Sequence, residues 1–211
     1  MELVKDIVIA THNPDKKKEI MIALHELGVN ILFLDNFPEI GEIEETGSTL
    51  LENSLIKART VSAITGKPAI ADDTGLEVDA LNGAPGIYSA RYAGINVSYE
   101  DNVRKLLSEM SSTDMDSRTA RFRTVVSFHS QNKELWAEGV IEGSITMGAI
   151  GTGGFGYDPV FKVEQTGKTF AEMTRREKNK ISHRGVALEK MCKLLKENIE
   201  ILNIILNHYR I

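Results

Sequence analysis

The sequence predicts an α/β fold on a mixed sheet, and three observations carry that prediction. Short apolar runs alternate with amphipathic helical stretches from Ile7 to Ala71, the pattern of strands joined by helical crossovers and therefore of parallel pairing. Two long strand-like runs, Thr119–His129 and Leu135–Met147, follow with only a short polar link between them, which reads as an antiparallel hairpin. Between the hairpin and a last helix lies Gly151-Thr152-Gly153-Gly154-Phe155-Gly156-Tyr157-Asp158-Pro159, too rich in glycine for a core element.

Element by element, Ile7-Val8-Ile9-Ala10 reads as a buried strand, broken by Thr11-His12-Asn13-Pro14. A helical pattern starts at Lys16, with Ile20, Ala23, Leu24 and Leu27 on one face, and Gly28 stops it. Ile31–Leu34 is a second strand, and an acidic linker runs from Glu39 to Glu45. Thr49 and Glu52 have capping-box spacing, so a helix opens there with Leu51, Leu55 and Ala58 facing inward. Lys67–Ala71 is a strand ending in Asp72-Asp73-Thr74-Gly75. Val97–Met110 is helical, and a final helix from Ser182 carries Ala187, Leu188, Met191 and Leu195 inward. The stretch from Ile199 to Ile211 is apolar with few charges, suited to a helical extension docked on the body or on a second subunit.

Composition narrows the function class. A chain of 211 residues, 42% hydrophobic and 26% charged, is long enough for a proper core and reads as one domain, with or without two lobes. Lys and Arg number 25 against 30 Asp and Glu, a net charge of −5; this balance offers no basic field for a nucleic-acid polymer. The single cysteine, Cys192, forms no internal disulfide and fits a reducing, cytoplasmic setting. No run approaches the roughly 20 apolar residues of a membrane span. The acid-bearing start, Met1 to Asp6, does not read as a signal peptide.

Several stretches carry chemistry, each with a plainer alternative. On the glycine-rich loop, Phe155 and Tyr157 suit stacking against a flat ring such as a nucleobase, or else they plug the core from a tight turn. Thr11-His12-Asn13-Pro14-Asp15-Lys16 lies between a strand and a helix, where backbone N–H groups, the helix dipole and Lys16 favour an anion. The alternative is an Asn-capped helix start with its lysines in water. Asp72 and Asp73 follow an apolar strand at the end where α/β sites gather. One of them can hold Mg²⁺ and a water, or the pair can form an Asp turn. Glu44-Glu45-Thr46-Gly47 offers a further carboxylate, or is a solvated loop. Asn53 and Lys57 share one helix face away from the apolar stripe, where they reach phosphate oxygens or simply meet water. His183 and Arg184, with Lys178 upstream, gather donors at the start of the last helix and hint at an acceptor-rich partner. His25, His129 and His208 are isolated, and no His/Cys set has zinc spacing.

In this order the motifs resemble those of the inosine triphosphate pyrophosphatase family, hydrolases of deaminated purine nucleoside triphosphates. Besides the stretches above, the resemblance includes Glu52-Asn53-Ser54-Leu55-Ile56-Lys57-Ala58, Gly83-Ala84-Pro85-Gly86-Ile87-Tyr88-Ser89-Ala90-Arg91-Tyr92 and Ser182-His183-Arg184-Gly185. It runs over residues 7 to 197, nearly the whole chain. It implies an elongated mixed sheet flanked by helices, two lobes with a central active-site cleft, and a homodimer. The domain it implies covers residues 1–198, with 199–211 as an apolar extension. By the same resemblance Thr11, His12, Asn13, Pro14, Asp15 and Lys16 bind the triphosphate with help from Lys57. Asp73 is the catalytic acid and a ligand of Mg²⁺, Glu44 is the second metal carboxylate, and Thr74 touches substrate. Phe155, Gly156, Tyr157, Asp158, Lys178, His183 and Arg184 form the base and ribose pocket. His12 departs from the glycine of many members, a change that matters if the backbone there needs positive φ. The expected substrate is a purine nucleoside triphosphate, with neither nucleic-acid polymer nor membrane as partner. The competing functions are hydrolysis of modified pyrimidine triphosphates on a related fold and nucleotide sensing without turnover; paired Asp72 and Asp73 speak against the sensor.

Overall fold

The computed structural model describes residues 2–201. Nine strands are defined: β1 Glu2–Val4, β2 Asp6–Ile9, β3 Asn30–Phe33, β4 Ala69–Val78, β5 Pro85–Gly86, β6 Thr119–His129, β7 Glu134–Ile145, β8 Phe161–Val163 and β9 Ile199–Ile201. The helices are α1 Pro14–Leu24, α2 Leu50–Thr65, α3 Tyr99–Glu109, α4 Arg175–Ile181 and α5 His183–Asn198. A mixed seven-stranded sheet runs β3-β2-β4-β6-β7-β8, with β5 alongside β4. Parallel pairing of β2 with β3 and β4 follows from the helical crossovers α1 and α2. The β7–β8 pair is antiparallel. This is the α/β mixed sheet expected from the sequence pattern.

The chain divides into two compact units, each discontinuous in sequence. The first comprises Met1–Asp73, Val125–Glu138 and Arg184–Ile211; the second comprises Thr74–Thr124 and Gly139–His183. In the first unit, strand alternation sorts side chains into two layers. Ile7, Ile9 and Ile70 pack with Ile20 and Leu24 of α1 and with Leu188, Met191 and Leu195 of α5. Val8, Ala10, Ala69 and Ala71 pack with Ala58 and Val61 of α2. The second unit has its own core of Leu76, Leu106, Phe122, Ile145, Phe161 and Phe170. There Arg118 is buried and donates to the carbonyls of Met110, Thr113, Ile145 and Thr146. Satisfying four backbone acceptors is what makes an interior guanidinium tolerable.

Several local expectations change. α1 begins at Pro14, two residues before Lys16, because Asn13 caps it and Pro suits the first turn. The Thr49–Glu52 capping box is present, but Leu51 and Leu55 are only half-buried. The inward face of α2 includes Leu50, Asn53, Ser54, Lys57, Ala58 and Val61, so Asn53 and Lys57 lie on the buried face and the alternative that they simply meet water does not hold. β4 does not stop before the acids but runs through them. Ile199–Ile201 is a strand parallel to β1, not an extension of the last helix; residues 202–211 of the apolar stretch, with His208, lie outside the described residues. Among the described residues, no helix is long and apolar enough to cross a membrane.

Cys192 lies on the inner side of α5, and burial pushes its thiol up to about 11. A thiol reacts as the thiolate. Ellman's reagent is therefore expected to leave the native protein unlabelled at neutral pH and to titrate one thiol per chain after denaturation. Fast labelling of the folded protein would contradict this packing.

Candidate active site

The first unit gathers a cluster of buried charge just past the carboxyl end of β2 and at the middle of β4. Asn13 Oδ1 accepts from the backbone N–H groups of Asp15 and Lys16 at 2.9 and 3.1 Å. Thr11 Oγ1 accepts from the Asn13 N–H. These bonds are those of a capped helix start, yet its lysine does not face water. Lys16 Nζ lies 3.1 Å from Asp72 Oδ2, while Lys17 pairs with Asp35. His12 is exposed, with Nε2 3.2 Å from the Gly41 carbonyl oxygen. Its φ is not positive, since Asn82 and Asn96 are the non-glycine residues with positive φ among those described. Histidine in place of glycine is therefore unstrained here.

Asp72 and Asp73 are neighbours in a strand, so their side chains leave opposite faces. Asp72 Oδ2 accepts from Arg184 Nε at 3.0 Å as well as from Lys16, and Arg184 Nη1 donates to Glu19 at 2.6 Å. Burial opposes the charge on Asp72, but Lys16 and Arg184 outweigh it and hold its carboxyl well below the usual range. Asp73 faces Lys57, whose Nζ is 3.3 Å from Oδ1 and 2.5 Å from Glu45 Oε1. Burial raises the Asp73 pKa above the ordinary carboxylate value despite that neighbour. Burial also opposes the Lys57 charge, yet Asp73 and Glu45 together raise its pKa. Asp73 Oδ2 is buried with no hydrogen-bond partner among the described residues. Glu44, the acid singled out from the sequence, is exposed; Glu45 is the one that reaches Lys57. Among the described residues, no three His, Cys, Asp or Glu side chains converge on one position.

The second unit holds an aromatic cluster of its own. Gly154 and Gly156 have φ of +72° and +61°, and a Cβ on Gly154 would run into the Asp158 carboxylate. Asp158 Oδ2 accepts from the Phe155 N–H at 2.8 Å and from Lys178 Nζ at 2.7 Å. The Lys178 ammonium stands 4.5 Å from the Phe155 ring centroid. Phe155 is half-buried. Tyr157 instead belongs to the core, with its hydroxyl donating to the Ser89 carbonyl, so the core-plugging alternative holds for this ring. His183 stacks on Phe122, centroids 4.5 Å apart and 16° from parallel. Thr74 Oγ1 is 2.6 Å from Thr124 Oγ1.

His183 and Arg184 read from the sequence as donors gathered in one place; both are buried, and they part company. Successive helical residues are about 100° apart around the axis, so His183 packs with Phe122 while Arg184 reaches Asp72 and Glu19. Sequence reasoning misses Glu19 and the burial of Asn53, and from the acidic stretch it singles out Glu44 where Glu45 is the acid paired with Lys57. A signal existed for Glu19: it lies three residues after Lys16, beside the apolar stripe of α1. Nothing in the sequence distinguishes Glu45 from Glu44.

The sequence model of the Ham1 family matches residues 7–194. A dITP/XTP pyrophosphatase of Thermoanaerobacter sp. (strain X514) is 47% identical, the alignment covering 92% of this chain and 98% of that protein. One of Bacillus subtilis (strain 168) is 46% identical over 93% of this chain and 100% of its own. The solved structure of a HAM1 protein from Coxiella burnetii superposes with a TM-score of 0.85 at 42% identity, covering 92% of this chain and 100% of that one. The Staphylococcus aureus Ham1 protein gives 0.83 at 39% identity, covering 92% and 99%. Matched over nearly all its length in sequence and in fold, the chain belongs to the Ham1 family.

Proposed function

We propose that this chain is a Mg²⁺-dependent nucleoside triphosphate pyrophosphatase, acting on deaminated purine nucleotides and releasing the monophosphate and pyrophosphate. The observation that carries the reading is the buried pair Asp73–Lys57, a carboxylate with one uncommitted oxygen beside an ammonium. The names of the relatives, dITP/XTP pyrophosphatase at near-complete coverage, support the substrate class. Glu44, Glu45 and Asp73 are hard oxygen donors, and Mg²⁺ typically takes one or two carboxylates and completes its shell with water and phosphate. Asp73 Oδ2, buried and with no hydrogen-bond partner among the described residues, is a donor that fits that ion. When bound, it neutralises charge on the phosphate oxygens.

The chain's own groups then act as follows. Lys16 and Lys57, with the Asn13-capped start of α1, hold the polyphosphate. Asp73 Oδ2 accepts a proton from water as that water's oxygen bonds to the α-phosphorus. The bond from the α-phosphorus to the bridging oxygen breaks, and pyrophosphate leaves with the electron pair. For base recognition, Phe155 offers a ring face, and Lys178 and His183 offer donors. A homodimer and a cytoplasmic location go with this reading.

Base choice follows from hydrogen-bond polarity. Hypoxanthine and xanthine present a 6-oxo acceptor, whereas adenine presents a 6-amino donor. A donor-lined site leaves groups unpaired against adenine, and sites built to hydrogen-bond discriminate strongly. Inosine and xanthosine triphosphates are expected to exceed ATP in kcat/KM by at least about 10²-fold. A panel of nucleoside triphosphates with Mg²⁺, assayed for pyrophosphate and orthophosphate, checks this. Equal turnover of ATP and inosine triphosphate would refute the donor argument.

A further inference from the structure

The segment carrying Glu44 and Glu45 is tied to the first two turns of α2, and one tie is made by a residue with no part in the chemistry above. Asn53 is fully buried (0% exposed). Its Oδ1 accepts from the Gly47 N–H at 2.8 Å, and its Nδ2 is buried with no hydrogen-bond partner among the described residues. Gly47 sits so close to the helix that a Cβ there would lie 2.6 Å from Glu52 Cβ and 2.7 Å from Asn53 Oδ1. Glu52 fixes the next residues, its Oε2 accepting from the N–H groups of Ser48 and Thr49 at 2.6 and 3.1 Å. One turn beyond Asn53, Lys57 holds Glu45 and Asp73. A buried amide with an idle donor is unfavourable, and a smaller hydroxyl also accepts a bond. The full-length side chain at this depth marks a place where the position of the loop matters.

We propose that Asn53 is a positioning residue for the metal-binding acids. Its Oδ1 pins Gly47 on α2 and so sets where the backbone presents Glu44 and Glu45 relative to Asp73. Partners that orient ligands are worth roughly 10–100-fold in metal affinity. The proposal rests on the reading of Asp73 and the acidic pair as metal ligands, and it needs no statement about turnover.

The test is Mn²⁺ binding to the full chain without nucleotide, followed by the electron paramagnetic resonance of free Mn²⁺. Asn53→Leu removes the acceptor and is expected to weaken Mn²⁺ by about 10-fold or more. Asn53→Asp keeps an acceptor for the Gly47 N–H and is expected to bind Mn²⁺ within about threefold of wild type, short of the roughly 10-fold loss of a missing orienting partner. Gly47→Ala forces the loop away from an intact Asn53 and is expected to match Asn53→Leu. Circular dichroism checks folding, and if Asn53→Leu does not fold, Gly47→Ala decides. Folded Gly47→Ala binding Mn²⁺ like wild type overturns the proposal, as does Asn53→Asp binding as weakly as Asn53→Leu. Wild-type protein that binds no Mn²⁺ overturns the metal reading and the proposal together, whereas failure to hydrolyse inosine triphosphate leaves this binding measurement standing.

Discussion

Asp73→Asn is expected to lower turnover of inosine triphosphate by about 10²-fold or more, the usual scale of a positioned acid or base. The side chain is buried, and burial raises its pKa, so the carboxylate is a better proton acceptor than an exposed one. Its Oδ2 has no hydrogen-bond partner among the described residues, which leaves that oxygen available to a water or an ion. The amide is nearly isosteric and keeps an oxygen that accepts from Lys57, so the fold is expected to survive. Lys16 lies with Asp72 rather than with Asp73, so triphosphate binding is expected to persist. Single-turnover kinetics together with nucleotide binding by calorimetry separate the two effects. Near-normal turnover would transfer the role to Asp72 or to the Glu44–Glu45 pair.

Arg184→Ala is expected to cost stability more than any other single truncation in the charge cluster. The guanidinium is buried (2% exposed) and joins Glu19 to Asp72. Removing one partner of a buried ion pair leaves uncompensated charge, a loss of about 3–5 kcal/mol. Urea unfolding at neutral pH measures it. Because Asp72 also holds Lys16, the variant is further expected to raise KM for the triphosphate. A loss no larger than the 0–1 kcal/mol or so of a surface pair would contradict the buried network.

Periodicity made the strands and helices legible. Ile7–Ala10 and Thr119–His129 have apolar patterns long enough to mark their elements, and the Thr49–Glu52 box marks the start of α2. The same reasoning failed where a polar group is buried by its partner. Asn53 and Lys57 look like a wet helix face until Gly47, Glu45 and Asp73 arrive from elsewhere in the chain. Tyr157 and Phe155 are two residues apart on one glycine loop, yet one ring lies in the core and the other under Lys178. Arg184 and His183 adjoin in sequence and so read as one donor cluster, whereas the helical turn separates them. Such assignments depend on tertiary partners, among them the Gly47 N–H for Asn53, the Ser89 carbonyl for Tyr157 and Asp72 for Arg184, which local spacing does not encode.

In the proposed reaction water attacks the α-phosphorus. Inosine triphosphate turned over once in water labelled with heavy oxygen, with Mg²⁺ present, decides it by mass spectrometry of the products. Attack at the α-phosphorus places the heavy oxygen in the inosine monophosphate and leaves the pyrophosphate unlabelled. Heavy oxygen in pyrophosphate, or inosine diphosphate and orthophosphate as the first products, would contradict it.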